Sequence, residues 1–118
     1  MRLNAVRVFV DDFAAAHSFY GNVLGLPVKW QHGSSAAGFD VGVDLIVETV
    51  TKNEAPEDYA LIGQFVGCSL EVDDIEATYA ALTQKDVRFT GPPQRQYWGG
   101  VLAHFEDTSG NILTLVGK

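Results

Sequence analysis

Val8-Phe9-Val10-Asp11-Asp12-Phe13 and Leu70-Glu71-Val72-Asp73-Asp74-Ile75 are two copies of one pattern, with Val10 and Val72 62 positions apart. Each copy leaves an alternating stretch, crosses a pair of aspartates and enters an apolar helical stripe. Before the first pair, residues 3–10 place Val6, Val8 and Val10 on one face and Ala5, Arg7 and Phe9 on the other. That period of two is the mark of a half-buried strand. Asp11-Asp12 then offers an N-cap, because a short carboxylate accepts from the first free helix N–H groups. A helix is expected over about 13–24, with Phe13, Ala16, Tyr20 and Val23 along one stripe and Gly25 as its stop. In the second copy, 67–72 alternates and a helix is expected over about 75–85, with Ile75, Tyr79 and Leu82 on one side.

Working outward, short strands fit near 28–32, 36–40 and 43–50 in the first half, and near 87–90, 101–106 and 111–116 in the second. Asp107-Thr108-Ser109-Gly110-Asn111 is a hairpin-turn signal. Between the halves, Thr51-Lys52-Asn53-Glu54-Ala55-Pro56-Glu57-Asp58 is polar, contains a proline and reads as a mobile linker. Each half thus reads strand, helix, strand, strand, strand. So short a repeat implies two similar modules packed in a single domain over 1–118: module one about 1–50, linker about 51–62 and module two about 63–118. One helix covers only one face of each sheet, so the other face must curl around something.

The 118 residues suit one domain, and a chain of this length buries roughly two-thirds of its unfolded surface without needing a disulfide or a metal. A 47% hydrophobic and 19% charged composition is that of a globular protein. The net charge of −7 repels phosphate backbones, so nucleic acid and anionic membrane are poor partners. The lone cysteine, Cys68, cannot form an internal disulfide and reads as a small buried strand residue of a reducing compartment. With no signal peptide or membrane span visible in the sequence, the expected location is cytoplasmic.

Taken in order, Val8-Phe9-Val10-Asp11-Asp12, Phe19-Tyr20 with Val23-Leu24-Gly25, Glu71-Val72-Asp73-Asp74 and Phe105-Glu106-Asp107-Thr108-Ser109-Gly110-Asn111 resemble the vicinal oxygen chelate superfamily. That group includes glyoxalase I, bleomycin-resistance proteins, fosfomycin-resistance enzymes and extradiol dioxygenases. The resemblance covers nearly the whole chain. It implies an α+β fold of two βαβββ modules forming a cupped, partly open mixed β-barrel with helices packed outside, and a homodimer. It also implies where family enzymes hold a metal: here those positions are Ala5, Gly67 and Thr114, with Ile46 or Glu48 as the first-module counterpart of Thr114. A divalent site needs three or four N, O or S ligands. At most Glu48 and Thr114 offer a donor, so no metal and no other cofactor is expected.

Other residues supply candidate chemistry. His17 reads as a surface or helix-packing residue. His32, beside Trp30, and His104 are candidates for the cavity side, and together with Glu48 or Glu71 these two would form either a displaced metal site or an acid–base pair. Arg7 shares a face with Phe9; it either binds a ligand carboxylate or phosphate through its planar fork or pairs with Glu48 or Glu71. Trp30, Phe39, Tyr97 and Trp98 provide flat rings, the last two on the Gly- and Pro-rich stretch 91–100, suited to stacking on a planar ligand or to filling core and interface. No phosphate-binding glycine loop, paired-cysteine motif or Gly-x-Ser-x-Gly nucleophile turn is present. The reading is a metal-free, homodimeric small-molecule-binding protein of bleomycin-resistance-like type, gripping an amphipathic, partly aromatic ligand through Arg7, Phe9, Trp30, His32, Tyr97, Trp98 and His104. The alternatives are a glyoxalase-like lyase or isomerase, with a displaced metal site or metal-free acid–base catalysis, and a partner-binding module with a filled cup.

Overall fold

Asp12 and Asp74 perform the same task in the two copies. In the computed structural model, which describes all residues from Met1 to Lys118, Asp12 is extended (φ −136°, ψ 100°) and its carboxylate accepts from the Ala15 N–H at 3.1 Å. Asp74 repeats this with φ −133°, ψ 94° and a 3.0 Å bond from the Ala77 N–H. Each starts a helix, α1 (Phe13–Ser18) and α3 (Ile75–Gln84). The two caps share no partner, so Asp12→Ala and Asp74→Ala are each expected to destabilise by about 1 kcal/mol and to add in the double variant, as read from urea unfolding.

The strands are β1 (Ala5–Val10), β2 (Val28–His32), β3 (Ala36–Asp40), β4 (Asp44–Thr49), β5 (Phe65–Glu71), β6 (Gln94–Arg95), β7 (Val101–Glu106) and β8 (Ile112–Gly117). They form two four-stranded mixed sheets, ordered β1-β4-β3-β2 and β5-β8-β7-β6. In each, the first strand runs parallel to the last and the other pairs are antiparallel. The repeat is true in register: Arg7 lies opposite Ile46, and Ser69, its counterpart in the second copy, lies opposite Thr114. This is the expected α+β arrangement of two βαβββ modules.

The chain divides into two compact units, Met1–Gln64 with Thr108–Asn111, and Phe65–Asp107 with Ile112–Lys118. In the first, Val8, Val10, Leu45, Val47 and Phe39 pack with Ala16 and Tyr20 in the core. In the second, Ile75, Leu82, Ala103, Phe105, Leu113 and Leu115 are buried. The turn residues of the first unit are tied down by Asn111, which is 1% exposed. Its Nδ2 donates to the Phe9 carbonyl at 2.8 Å and its Oδ1 accepts from the Gly63 N–H at 2.8 Å. Ser109 Oγ donates to Asp11 Oδ1 at 2.7 Å, so the first aspartate of the pair holds the turn while the second caps the helix.

Three local expectations are revised. The first helix is α-helical only to Ser18 and continues as a π-helical turn over Phe19–Val23, with Leu24 N–H bonded to Phe19 O. This i→i+5 widening accompanies the burial of two consecutive aromatics, Phe19 and Tyr20. The stretch 51–58 is not a plain linker: it contains a short helix, α2 (Pro56–Tyr59), favoured by Pro56 at its start and Glu57 and Asp58 in its first turn. The expected strand at 87–90 is reduced to a single bridge between Phe89 and Phe105; the edge strand is β6, inside the stretch expected to be loop. Gly91 and the prolines at 92 and 93 interrupt pairing, which resumes at Gln94 opposite Leu102. No helix is long and apolar enough to cross a membrane.

Candidate functional site

Period-two alternation sorts the first sheet into two faces. One is the core beneath α1, where Phe39 is fully buried against Tyr20 and His17. Phe39 is therefore core, not ligand platform. His17 packs its ring against both Phe13 and Phe39 and shares a 3.0 Å hydrogen bond with Gln31, the helix-packing role expected of it. The cross-strand register places Ala5, Arg7 and Phe9 of β1, Asp44, Ile46 and Glu48 of β4, Gly38 of β3, and Trp30 and His32 of β2 on the opposite face. Arg7, Phe9, Trp30, His32 and Glu48 are thus brought onto one surface.

Arg7 engages Glu48 through two parallel bonds, Nε to Oε1 at 2.7 Å and Nη2 to Oε2 at 3.0 Å. Of the two carboxylates considered for Arg7, Glu48 is the partner, because it neighbours Ile46, the residue directly across from Arg7. The Arg7 side chain is 58% exposed and that of Glu48 22%, so the pair contributes little stability. The guanidinium carbon also lies 5.3 Å from the Phe9 ring centroid. Glu48, and at longer range Asp58 of α2, hold the Arg7 pKa above its ordinary value.

Trp30 reaches across β3 because residue 38 is glycine: a β-carbon there would overlap the indole. Its Nε1 donates to Asp44 Oδ2 at 3.0 Å, while Lys29 Nζ donates to Asp44 Oδ1 at 2.8 Å. These two donors, Lys29 first, keep the Asp44 carboxyl below its ordinary 3.8. The His32 ring is 5.2 Å from that of Trp30 and the residue is exposed. Asp44, Lys29 and Gly38 were not anticipated. Asp44 shares parity with Glu48 on the same strand and so was findable; the role of Gly38 has no signal of its own.

In the second sheet, His104 Nδ1 and Thr114 Oγ1 share a 2.8 Å hydrogen bond, and Phe65 meets the imidazole edge-on at 5.7 Å. Thr114, not a glutamate, is the hydrogen-bond partner of His104, and Glu71 is exposed opposite Val116. His104 lines a cavity of about 140 Å³ with Thr90, Gly91, Gln94, Gln96 and Leu102. The adjoining loop is fastened by Gln96 N–H to Gly100 O at 2.8 Å across the turn and by Arg95 Nη1 to Gly99 O at 2.9 Å. It carries Tyr97 fully exposed and Trp98 53% exposed, the latter laid against Gly100; neither lines the cavity. Burial pushes the Cys68 thiol above its ordinary pKa, which leaves it a poor nucleophile.

The positions where the resemblance implies metal ligands do not fit a divalent ion. Ala5 has no donor, and the Asp44 opposite it is committed to Lys29 and Trp30. Gly67 sits at a register irregularity with φ 75°, a backbone that a histidine would adopt only with strain. Thr114 is buried and bonded to His104, and Glu48 is bonded to Arg7. No three His, Cys, Asp or Glu side chains converge on one point.

Sequence and fold together define the class. Residues 2–115 match the Glyoxalase/Bleomycin resistance protein/Dioxygenase superfamily, and the chain belongs to it. It is 32% identical over 124 residues to the Uncharacterized protein YraH of Bacillus subtilis (strain 168), covering 98% of this chain and 97% of that one. Its structure is similar to that of a member of the same superfamily from Sphaerobacter thermophilus DSM 20745, with a TM-score of 0.83, 28% identity and coverage of 100% and 98% of the two chains. A lactoylglutathione lyase from Agrobacterium tumefaciens shares the fold at a TM-score of 0.79 and 18% identity, over 98% of this chain and 92% of that one.

Proposed function

We propose that this chain is a metal-free small-molecule-binding protein of bleomycin-resistance-like type, acting as a cytoplasmic homodimer on an amphipathic, partly aromatic ligand. The observation that carries the reading is the first sheet's face. Trp30 is held against Gly38 by Asp44, and Arg7 is oriented by Glu48 near Phe9, while Ala5, Gly67 and Thr114 replace the donor set. An ordered ring and an exposed planar donor suit recognition by stacking and hydrogen bonding. Purified without chelator, the protein is expected to contain no stoichiometric metal, and an aromatic library is expected to yield compounds that shift its melting temperature equally with and without EDTA. Stoichiometric zinc, manganese, nickel or iron overturns the reading.

One observation favours a second reading, a lyase or isomerase working by acid–base catalysis. His104 is half-buried, oriented by Thr114 and faces the 140 Å³ cavity. On that reading His104→Ala abolishes turnover of an identified substrate while leaving the circular dichroism spectrum intact, and retained turnover removes it.

A further inference from the structure

Both basic side chains that reach the carboxylates of the first sheet's ligand face are already matched. Arg7 is paired with Glu48, and Lys29 with Asp44. Asp58 adds a further negative charge near Arg7. A carboxylate or phosphate arriving at Arg7 meets a guanidinium whose charge is neutralised, with the Glu48 carboxylate close behind it. The Arg7–Glu48 fork uses Nε and Nη2, so Nη1 remains a donor with no partner in the chain, on a side chain 58% exposed. An N–H in this setting selects for a hydrogen-bond acceptor, not for a charge. A cationic group gains little either, because the exposed edge of the pair is guanidinium and the carboxylates are engaged.

Trp30 supplies the other half of the recognition. Its indole is fixed by Asp44 and seated against the Gly38 backbone, so it offers a flat face without first having to be ordered. Ile46, directly opposite both Arg7 and Gly38 on the neighbouring strands, provides an apolar floor between them. We infer that the ligand of this face is an uncharged planar molecule bearing a carbonyl-type acceptor, stacked on Trp30 and receiving a hydrogen bond from Arg7 Nη1. The inference rests on the small-molecule-binding reading above and narrows it to a chemical class.

Three probes of one shape test it: 2-naphthamide, 2-naphthoate and 2-naphthylmethylammonium, each measured by equilibrium dialysis against the full chain. The amide is expected to bind about tenfold more tightly than either charged analogue at low salt. Glu48→Gln, which removes the counter-charge while keeping a planar acceptor for Arg7, is expected to move the amide-to-carboxylate ratio about tenfold toward 2-naphthoate. Wild-type protein that binds a charged probe as tightly as the amide overturns the inference and leaves the binding reading intact, as does a ratio unmoved by Glu48→Gln in a variant with native circular dichroism. Failure of all three probes to bind overturns the binding reading and the inference with it.

Discussion

Replacing Asn111 with alanine is expected to lower the unfolding free energy by about 3 kcal/mol. The side chain is 1% exposed and satisfies two main-chain groups, the Phe9 carbonyl and the Gly63 N–H, at 2.8 Å each. Truncation leaves both groups without that partner, at a cost of about 1–3 kcal/mol for each buried orphan. Asn111→Asp separates the two bonds. A carboxylate still accepts from Gly63 but cannot donate to Phe9 and places negative charge beside a carbonyl oxygen, so it is expected to be at least as damaging as alanine at neutral pH. Urea unfolding followed by circular dichroism reads both variants; a loss below about 0.5 kcal/mol in either would contradict this account. The consequence reaches the ligand face, because the Phe9 carbonyl lies on the strand that carries Arg7.

The second large effect is on binding. Gly38→Ala introduces a β-carbon where the Trp30 indole lies, so the ring must leave its seat and its bond to Asp44. The stability change is expected to be small, about 1 kcal/mol, because Trp30 is only half-buried and alanine suits a strand better than glycine. The affinity for an aromatic ligand is expected to fall about tenfold, the worth of one well-placed aromatic contact. In a Trp98→Phe background, which leaves Trp30 as the single tryptophan, the emission maximum is expected to shift to the red as the indole enters water. Unchanged emission and affinity would mean that Trp30 does not depend on Gly38 for its position.

Much of this was legible in the residues because it depends on local chemistry. Paired aspartates ahead of an apolar stripe become caps wherever they occur, since the free N–H groups of a helix start demand an acceptor. The alternation in Ala5–Val10 placed Arg7 with Phe9 on the face away from Val8 and Val10, and the register bears this out. The π-helical turn was not legible, because the stripe formed by Phe13, Ala16 and Tyr20 is compatible with an α-helix until packing demands burial of both Phe19 and Tyr20. Nor was β6, whose pairing begins only where the chain has cleared two prolines.

Alternation alone determined which residues share a face, and the repeat determined that the arrangement occurs twice. Neither says which of the two candidate carboxylates, Glu48 or Glu71, Arg7 meets. That depends on pairing across 41 residues of chain, which places Glu48 beside the residue opposite Arg7. Likewise the place of Trp30 is decided by a missing side chain on the neighbouring strand and a carboxylate one strand further on. Periodicity is a property of each strand by itself, whereas a binding surface is made of contacts between strands, and only the folded sheet contains those.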